Sequence, residues 1–203
     1  MPSIYEFKPA FQNLLRPLVL ILARAGVTAN QITLLALVLS CTVGGLVALF
    51  PQQHWLLLLV PVVMFKRMAL NAIDGMLARE HGMKSALGAF LNELCDVISD
   101  AVLYLPFALI PGIAPVPVVI FVVLAVVSEM AGVIAQSLGA SRRYDGPMGK
   151  SDRAFVISAL GLALGVGLEA GRWVDMLMLI LVVLTAVTIF NRMRNALSEL
   201  AAK

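Results

Sequence analysis

Charge is scarce in this chain. Only 13% of its 203 residues are Asp, Glu, Lys or Arg, while 61% are hydrophobic, against about 25% charged in soluble domains. That scarcity excludes an ordinary water-soluble globule and points to an integral membrane protein. The 15 basic residues exceed the 12 acidic ones by three, too little to argue for a nucleic-acid partner; in a lipid-embedded chain the placement of Lys and Arg is more informative than their sum. There are two cysteines, Cys41 and Cys95. Both fall in apolar helical contexts, where a thiol behaves as a small hydrophobe, so neither a disulfide framework nor a cysteine metal motif is expected. The two histidines, His54 and His81, are expected in loops on opposite sides of the membrane. Paired internal repeats of the kind found in carriers are missing. The first residues lack the small-residue cleavage pattern of a signal peptide and spread Lys8, Arg16 and Arg24 along their length, which fits a helix lying on the membrane surface.

What the chain has is long apolar runs. At about 20 residues per crossing, its length admits about six spans and little else. We expect an all-α membrane protein of one domain, residues 1–203. A surface helix over about 5–25 precedes spans at about 29–50, 53–79, 85–109, 115–138, 153–170 and 173–193. The breaks are Pro51, "PGIAP" at 111–115, "GASRRYDGPMGK" at 139–150, and Gly171. Within the fifth span, "GLALG" reads as a helix-packing surface. Arg79, Lys84, Arg142, Arg143, Lys150, Arg153, Arg192 and Arg194 gather at the same ends as the N-terminal basic residues, whereas "FPQQHW" and "IPGIAPVP" have none. By the positive-inside rule both termini face the cytoplasm, and the expected location is the bacterial inner (plasma) membrane.

Against this background "NAIDGMLAREHGMKSALGAFLNELCD", residues 71–96, is unusually polar. It covers the end of the second span, a short turn, and the start of the third, at the cytoplasmic surface. At about 100° per residue, Arg67, Asn71, Asp74 and Ala78 fall within about 60° of one another, with Gly75 just to the side. Gly88, Asn92, Asp96 and Asp100 recur every four residues on the third span, and Glu93 lies within about 60° of Asp96. Ionisable groups at membrane depth cost about 2.5–3.5 kcal/mol each on insertion scales, so they normally have partners or face a watery cavity. Two such stripes face to face form an oxygen-rich pocket suited to a hard divalent cation and substrate phosphates. Gly75 and Gly88 let a bulky ligand approach the backbone, and Arg79 offers a fork for phosphate. The plainer reading is a buried ion pair, Asp74 and Asp96 with Arg67 or Arg79, that only holds the hairpin together. Lys66 points elsewhere, and is expected to snorkel or to pair with Glu129 of the fourth span.

The pattern Asn71-x-x-Asp74-Gly75-x-x-Ala78-Arg79, eight intervening residues, then Gly88-x-x-x-Asn92-x-x-x-Asp96 resembles the signature of the CDP-alcohol phosphotransferase family. The surface helix, the six spans and "VTANQIT" opening the first span extend the likeness over nearly the whole chain. What the resemblance implies is attack by an alcohol hydroxyl on a phosphorus of a CDP-linked donor, commonly CDP-diacylglycerol, with CMP leaving. It implies one or two divalent ions, magnesium or manganese, on the diphosphate. Carried over by position, Asn71, Asp74, Asn92 and Asp96 hold metal, with Glu93 near enough to assist, and Asp96 is the general base. Asp74, Gly75, Ala78, Arg79, Ser85 and Gly88 surround the CDP group, with Lys84 beside them. A homodimer is also implied.

The chain departs from the family at two positions, since Asn71 and Asn92 stand where the signature has aspartates. A neutral amide oxygen ligates magnesium more weakly than a carboxylate and cannot offset its charge. Arg142, Arg143, Lys150 and Arg153, in "SRRYDGPMGKSDR", are candidate acceptor-binding residues at the same membrane face; equally, such residues mark a cytoplasmic loop. As an acceptor site they favour a phosphorylated polyol such as inositol phosphate or glycerol phosphate. The competing readings are a catalytically impaired relative that binds CDP-lipid or metal, and an ion-coupled transporter.

Overall fold

The chain's apolar runs fold as helices, and the hydrogen bonds at their ends explain where each one starts. The structure, a computed structural model, describes residues 4–203, and no strand occurs among them. Helix α1 is Ile4–Arg24 and α2 is Ala29–Leu49. A 3₁₀ segment, His54–Leu58, leads into α3, Leu59–Glu80. Helix α4, Ala86–Tyr104, continues as 3₁₀ through Leu105–Leu109. Helices α5, Pro115–Ser137, α6, Lys150–Gly165, and α7, Arg172–Ala201, complete the chain.

Reciprocal bonds start α2: the Gln31 N–H donates to Thr28 Oγ1 (3.3 Å) and the Thr28 N–H to Gln31 Oε1 (2.9 Å), a capping box. Ser85 Oγ accepts from the Gly88 N–H (2.9 Å) at the head of α4, satisfying one of the donors that a helix start leaves unpaired. Pro115 occupies the first turn of α5, where its missing N–H costs nothing. Asp152 Oδ2 accepts from the Gly149 N–H (2.9 Å) at the start of α6.

Among the described residues, four segments are long and apolar enough to cross a bilayer: Ala29–Leu49, His54–Glu80, Pro115–Ser137 and Arg172–Ala201. The other two expected spans differ for physical reasons. Helix α4 carries Glu93, Asp96 and Asp100, and α6 has 16 residues, about 24 Å of helix against a hydrocarbon core of about 30 Å. Helix α6 also begins and ends earlier than 153–170, since Gly167 at φ +102° turns the chain. Helix α7 runs past 193 to Ala201; its last turns hold good helix formers, and its Glu199 accepts from the Ser141 N–H (2.9 Å).

Contacts divide the chain into two compact units, residues up to 41 with 62–99, and 42–61 with 100–203. In the first, Val19 of α1, Ala29 and Ile32 of α2, and Ile73, Met76 and Leu77 of α3 form a buried cluster. The exposed Arg16–Glu80 pair (2.8 Å) adds a further tie between α1 and α3, worth little by itself. In the second, the rings of Tyr104 and Phe121 pack with centroids 5.8 Å apart. The "GLALG" glycines there serve packing: a Cβ on Gly161 would lie 3.1 Å from the Leu57 carbonyl oxygen, and one on Gly165 would lie 2.6 Å from a Leu58 methyl.

Closest of all is Gly44, where an added Cβ would stand 2.0 Å from the Val102 carbonyl oxygen, while Gly45 meets nothing within 4 Å. Small residues let membrane helices approach to backbone contact. Gly44→Ala should therefore destabilise the fold by about 1–3 kcal/mol through overpacking, seen as a lowered unfolding midpoint in detergent. Gly45→Ala should leave the midpoint nearly unchanged, and equal behaviour of the two would contradict the close approach.

Candidate active site

The site belongs to the first unit, where α3 and α4 carry the two halves of the polar pattern. Asn71 Nδ2 of α3 donates to Asp96 Oδ1 of α4 at 2.8 Å. This bond joins residues that the helical wheels could only place on facing stripes. Arg67, one stripe position earlier and 4% exposed, brings its Nη2 to 3.6 Å from the same Asp96 oxygen and donates to the Asp96 carbonyl at 3.4 Å. A buried guanidinium needs such partners, because leaving it unpaired in a medium of low polarity is costly.

Asp74 is also buried, at 5% exposure. Its Oδ2 lies 2.7 Å from Thr33 Oγ1 of α2. The same hydroxyl lies 3.1 Å from the Ala29 carbonyl oxygen, yet it has one proton, and the shorter contact to a carboxylate is the stronger claim on it. Thr33 was not singled out from the sequence. Its only signal there is a hydroxyl in the first turn of the helix that "VTANQIT" opens.

Both glycines of the pattern have neighbouring side chains in close approach. The Arg79 guanidinium lies over Gly75, where a Cβ would come within 3.1 Å of both terminal nitrogens. A Cβ on Gly88 would lie 2.8 Å from Asn30 Oδ1 and 3.1 Å from Ser85 Oγ, so Asn30 joins Ser85 and Gly88 at the head of α4. Ala78 is half-buried one turn after Asp74 and packs on the first unit's core. Asn92 and Glu93 are half-buried on α4, and Lys84 is exposed in the turn.

Among the described residues no group of three or more His, Cys, Asp or Glu is placed to hold a metal. The donors present are nonetheless all oxygen, two carboxylates and two amides, which suits a hard divalent ion such as magnesium or manganese.

The four candidate acceptor residues lie in the second unit and have differing surroundings. Arg142 stacks over the Tyr144 ring, 5.5 Å from its centroid. Arg143 pairs with Glu199, lies 3.8 Å from Asp145 Oδ2, and donates to the Asn195 carbonyl at 2.9 Å. Lys150 is half-buried at the head of α6. Arg153 is fully buried and donates to Ser128 Oγ (2.9 Å), the Met148 carbonyl (3.0 Å) and Glu129 Oε1 (2.7 Å). Arg192 Nη1 lies 3.4 Å from the same Glu129 oxygen and also bonds the Ser128 carbonyl. Glu129 thus pairs with Arg153 and Arg192, which corrects the expected pairing with Lys66, an exposed residue. The sequence hid this because Arg192 had been read only as a topology marker.

Removing the hydroxyl beside Asp74 tests its part in the site. Thr33→Val should cost about 1–3 kcal/mol, the usual penalty for a buried acceptor that loses its donor, and should weaken manganese binding about 10–100-fold, as loss of a ligand's supporting bond does. Thr33→Ser should restore both. Equal stability and manganese affinity in Thr33→Val and the native chain would contradict that role.

Comparison with known proteins places these features. The profile of the CDP-alcohol phosphatidyltransferase family matches residues 26–194. The chain is 45% identical over 195 residues to the inner membrane protein YnbA of Escherichia coli, covering 96% of each. It is 34% identical over 104 residues to phosphatidylinositol phosphate synthase of Corynebacterium glutamicum, covering 51% of this chain and 45% of that one. The fold matches that of Mycobacterium tuberculosis phosphatidylinositol phosphate synthase. Its structure with CDP-DAG bound has a TM-score of 0.72 at 23% identity over 89% of this chain and 92% of that one. Its complex with manganese and citrate has a TM-score of 0.73 at 23% identity, over 89% and 87%. With the family profile spanning most of its length and a relative matched end to end, this chain belongs to the CDP-alcohol phosphatidyltransferase family.

Proposed function

We propose that this chain moves a phosphatidyl group from CDP-diacylglycerol to a hydroxyl of a small phosphorylated polyol, inositol phosphate or glycerol phosphate, and releases CMP. The observation that carries the reading is the Asn71–Asp96 bond, because it brings both halves of the family's pattern to one place. The relatives' names support the donor and the acceptor class.

In this mechanism Asp96 accepts the proton of the attacking hydroxyl as the oxygen forms its bond to phosphorus. Arg67 and Asn71 hold the Asp96 carboxylate in place through one of its oxygens. Asp74, Asn71, Asn92 and Asp96, with Glu93 nearby, are the residues that would hold a divalent ion. When bound, such an ion neutralises charge on the diphosphate and steadies the leaving oxygen. Arg79 contacts a phosphate, and Gly75, Ala78, Ser85 and Gly88 leave room for the nucleotide. Phosphoryl transfer asks for positioning and charge neutralisation more than covalent help from the protein, and this set of residues offers both. Arg142, Arg143, Lys150 and Arg153 form the acceptor's anionic subsite in this reading.

The same reading has a single functional domain with α4 and α6 as the remaining spans, making six. Helix α1 lies at the membrane surface, and the site and both termini face the cytoplasm in a homodimer. The carboxylates of α4 are compatible with a span because Asp96 is held by Arg67 and Asn71 and Asp100 is buried within the protein. The rival is a relative that binds CDP-lipid without turnover, favoured by the lack of a three-carboxylate cluster among the described residues.

Incubation with CDP-diacylglycerol, magnesium or manganese and a panel of alcohols distinguishes the two. The proposal expects CMP with a phosphorylated polyol; donor binding without CMP from any acceptor supports the rival. Asp96→Asn should lower turnover by at least 100-fold, within the range of general-base losses of about 10²–10⁴, with CDP-diacylglycerol still bound. Unchanged turnover would remove Asp96 as the base.

A further inference from the structure

We infer that the α3–α4 site takes one divalent cation per protomer and not two, its second cation position being closed by Asn71 and Arg67. The inference rests on the metal-dependent transfer proposed above and specifies the site's ion count.

Cis oxygen ligands of an octahedral magnesium ion, each at about 2.0–2.1 Å, stand about 3 Å apart. Asn71 and Asp96 approach to 2.8 Å, close to that spacing. The Asn71 atom at this contact, however, is the amide nitrogen, a donor with no lone pair for a metal. Turning the amide over would give up the bond to Asp96 and would be favourable only with a cation between the two oxygens. A cation entering there would also meet the Arg67 guanidinium, 3.6 Å from the same Asp96 oxygen and itself buried. Its charge cannot withdraw to water.

Charge counting agrees. Asp74 and Asp96 supply two negative charges and Arg67 offsets one, which leaves a single net negative charge before Glu93 is counted. Four aspartates at these positions would supply twice the carboxylate charge. Two dications would bring four positive charges to this set and would depend on the donor's diphosphate for most of their balance, in a desolvated setting where imbalance is costly. One ion suits it, with Asp74 as charged ligand, and Arg67 serves as the fixed cation on the Asp96 side.

The test counts manganese bound by the purified full-length chain in lipid nanodiscs, followed by the electron paramagnetic resonance of free ion, with and without CDP-diacylglycerol. The expected result is one tight site per protomer in the presence of the donor, rising to two in the Asn71→Asp/Asn92→Asp variant. Two tight sites in the native chain would overturn the inference and leave metal-dependent transfer standing. No tight site even with donor present would overturn both. A double variant that elutes as a folded protein and still binds one ion would also overturn it. The native count decides if that variant does not fold.

Discussion

The structure of the site depends on a buried cation, Arg67, being satisfied inside a mostly apolar unit. Its guanidinium needs an anion, and a carboxylate oxygen of Asp96 on the next helix lies 3.6 Å away. Asn71 then adds a neutral donor to the same oxygen. Because an unpaired buried charge is costly, this arrangement fixes the register of α4 against α3 more firmly than apolar packing would. Apolar contacts between membrane helices tolerate sliding and rotation; a fork of donors on one carboxylate does not.

From that register the other site features follow. Gly75 and Arg79 sit one and two turns beyond Asn71, so the Arg79 side chain folds back over the glycine. At the turn, Ser85 caps α4 and sets Gly88 against Asn30 of α2. Helix α2 contributes a second constraint through Thr33, whose hydroxyl meets Asp74. Three helices therefore supply the site, although the polar pattern in the sequence lies on two. The second unit has its own buried polar centre, in which Glu129 is shared between Arg153 and Arg192. Two guanidiniums against one carboxylate leave that centre with net positive charge.

Much of this was legible in the amino-acid sequence, for reasons tied to spacing. Long apolar runs gave the helices, Pro51 and the proline-flanked "PGIAP" follow two of their ends, and Gly171 directly precedes α7 while α6 stops earlier, at Gly165. Intervals of four and three residues placed Arg67, Asn71 and Asp74 on one stripe, and intervals of four placed Gly88, Asn92 and Asp96 on another. Other features depend on three-dimensional proximity, which periodicity does not encode. Thr33 is 41 residues from Asp74, and Arg192 is 63 from Glu129. Residue type alone recommended Lys66 for Glu129 as readily as either arginine. The length of α6 was misread because the glycines near its end suit a packed membrane helix and a helix stop equally well.

The amides at 71 and 92 change the site's chemistry without dismantling its frame. An aspartate at 71 would repel Asp96 unless a cation lay between them; an asparagine bonds to it directly. The account therefore turns on whether that bond carries energy in the folded protein. A double-mutant cycle measures it: Asn71→Ala, Asp96→Ala and the pair, each unfolded in detergent without added metal. A coupling of about 1–3 kcal/mol between the two positions, the range for hydrogen-bonded neighbours, is the result expected. Additive losses, with coupling near zero, would show that the two side chains do not hold α3 and α4 together.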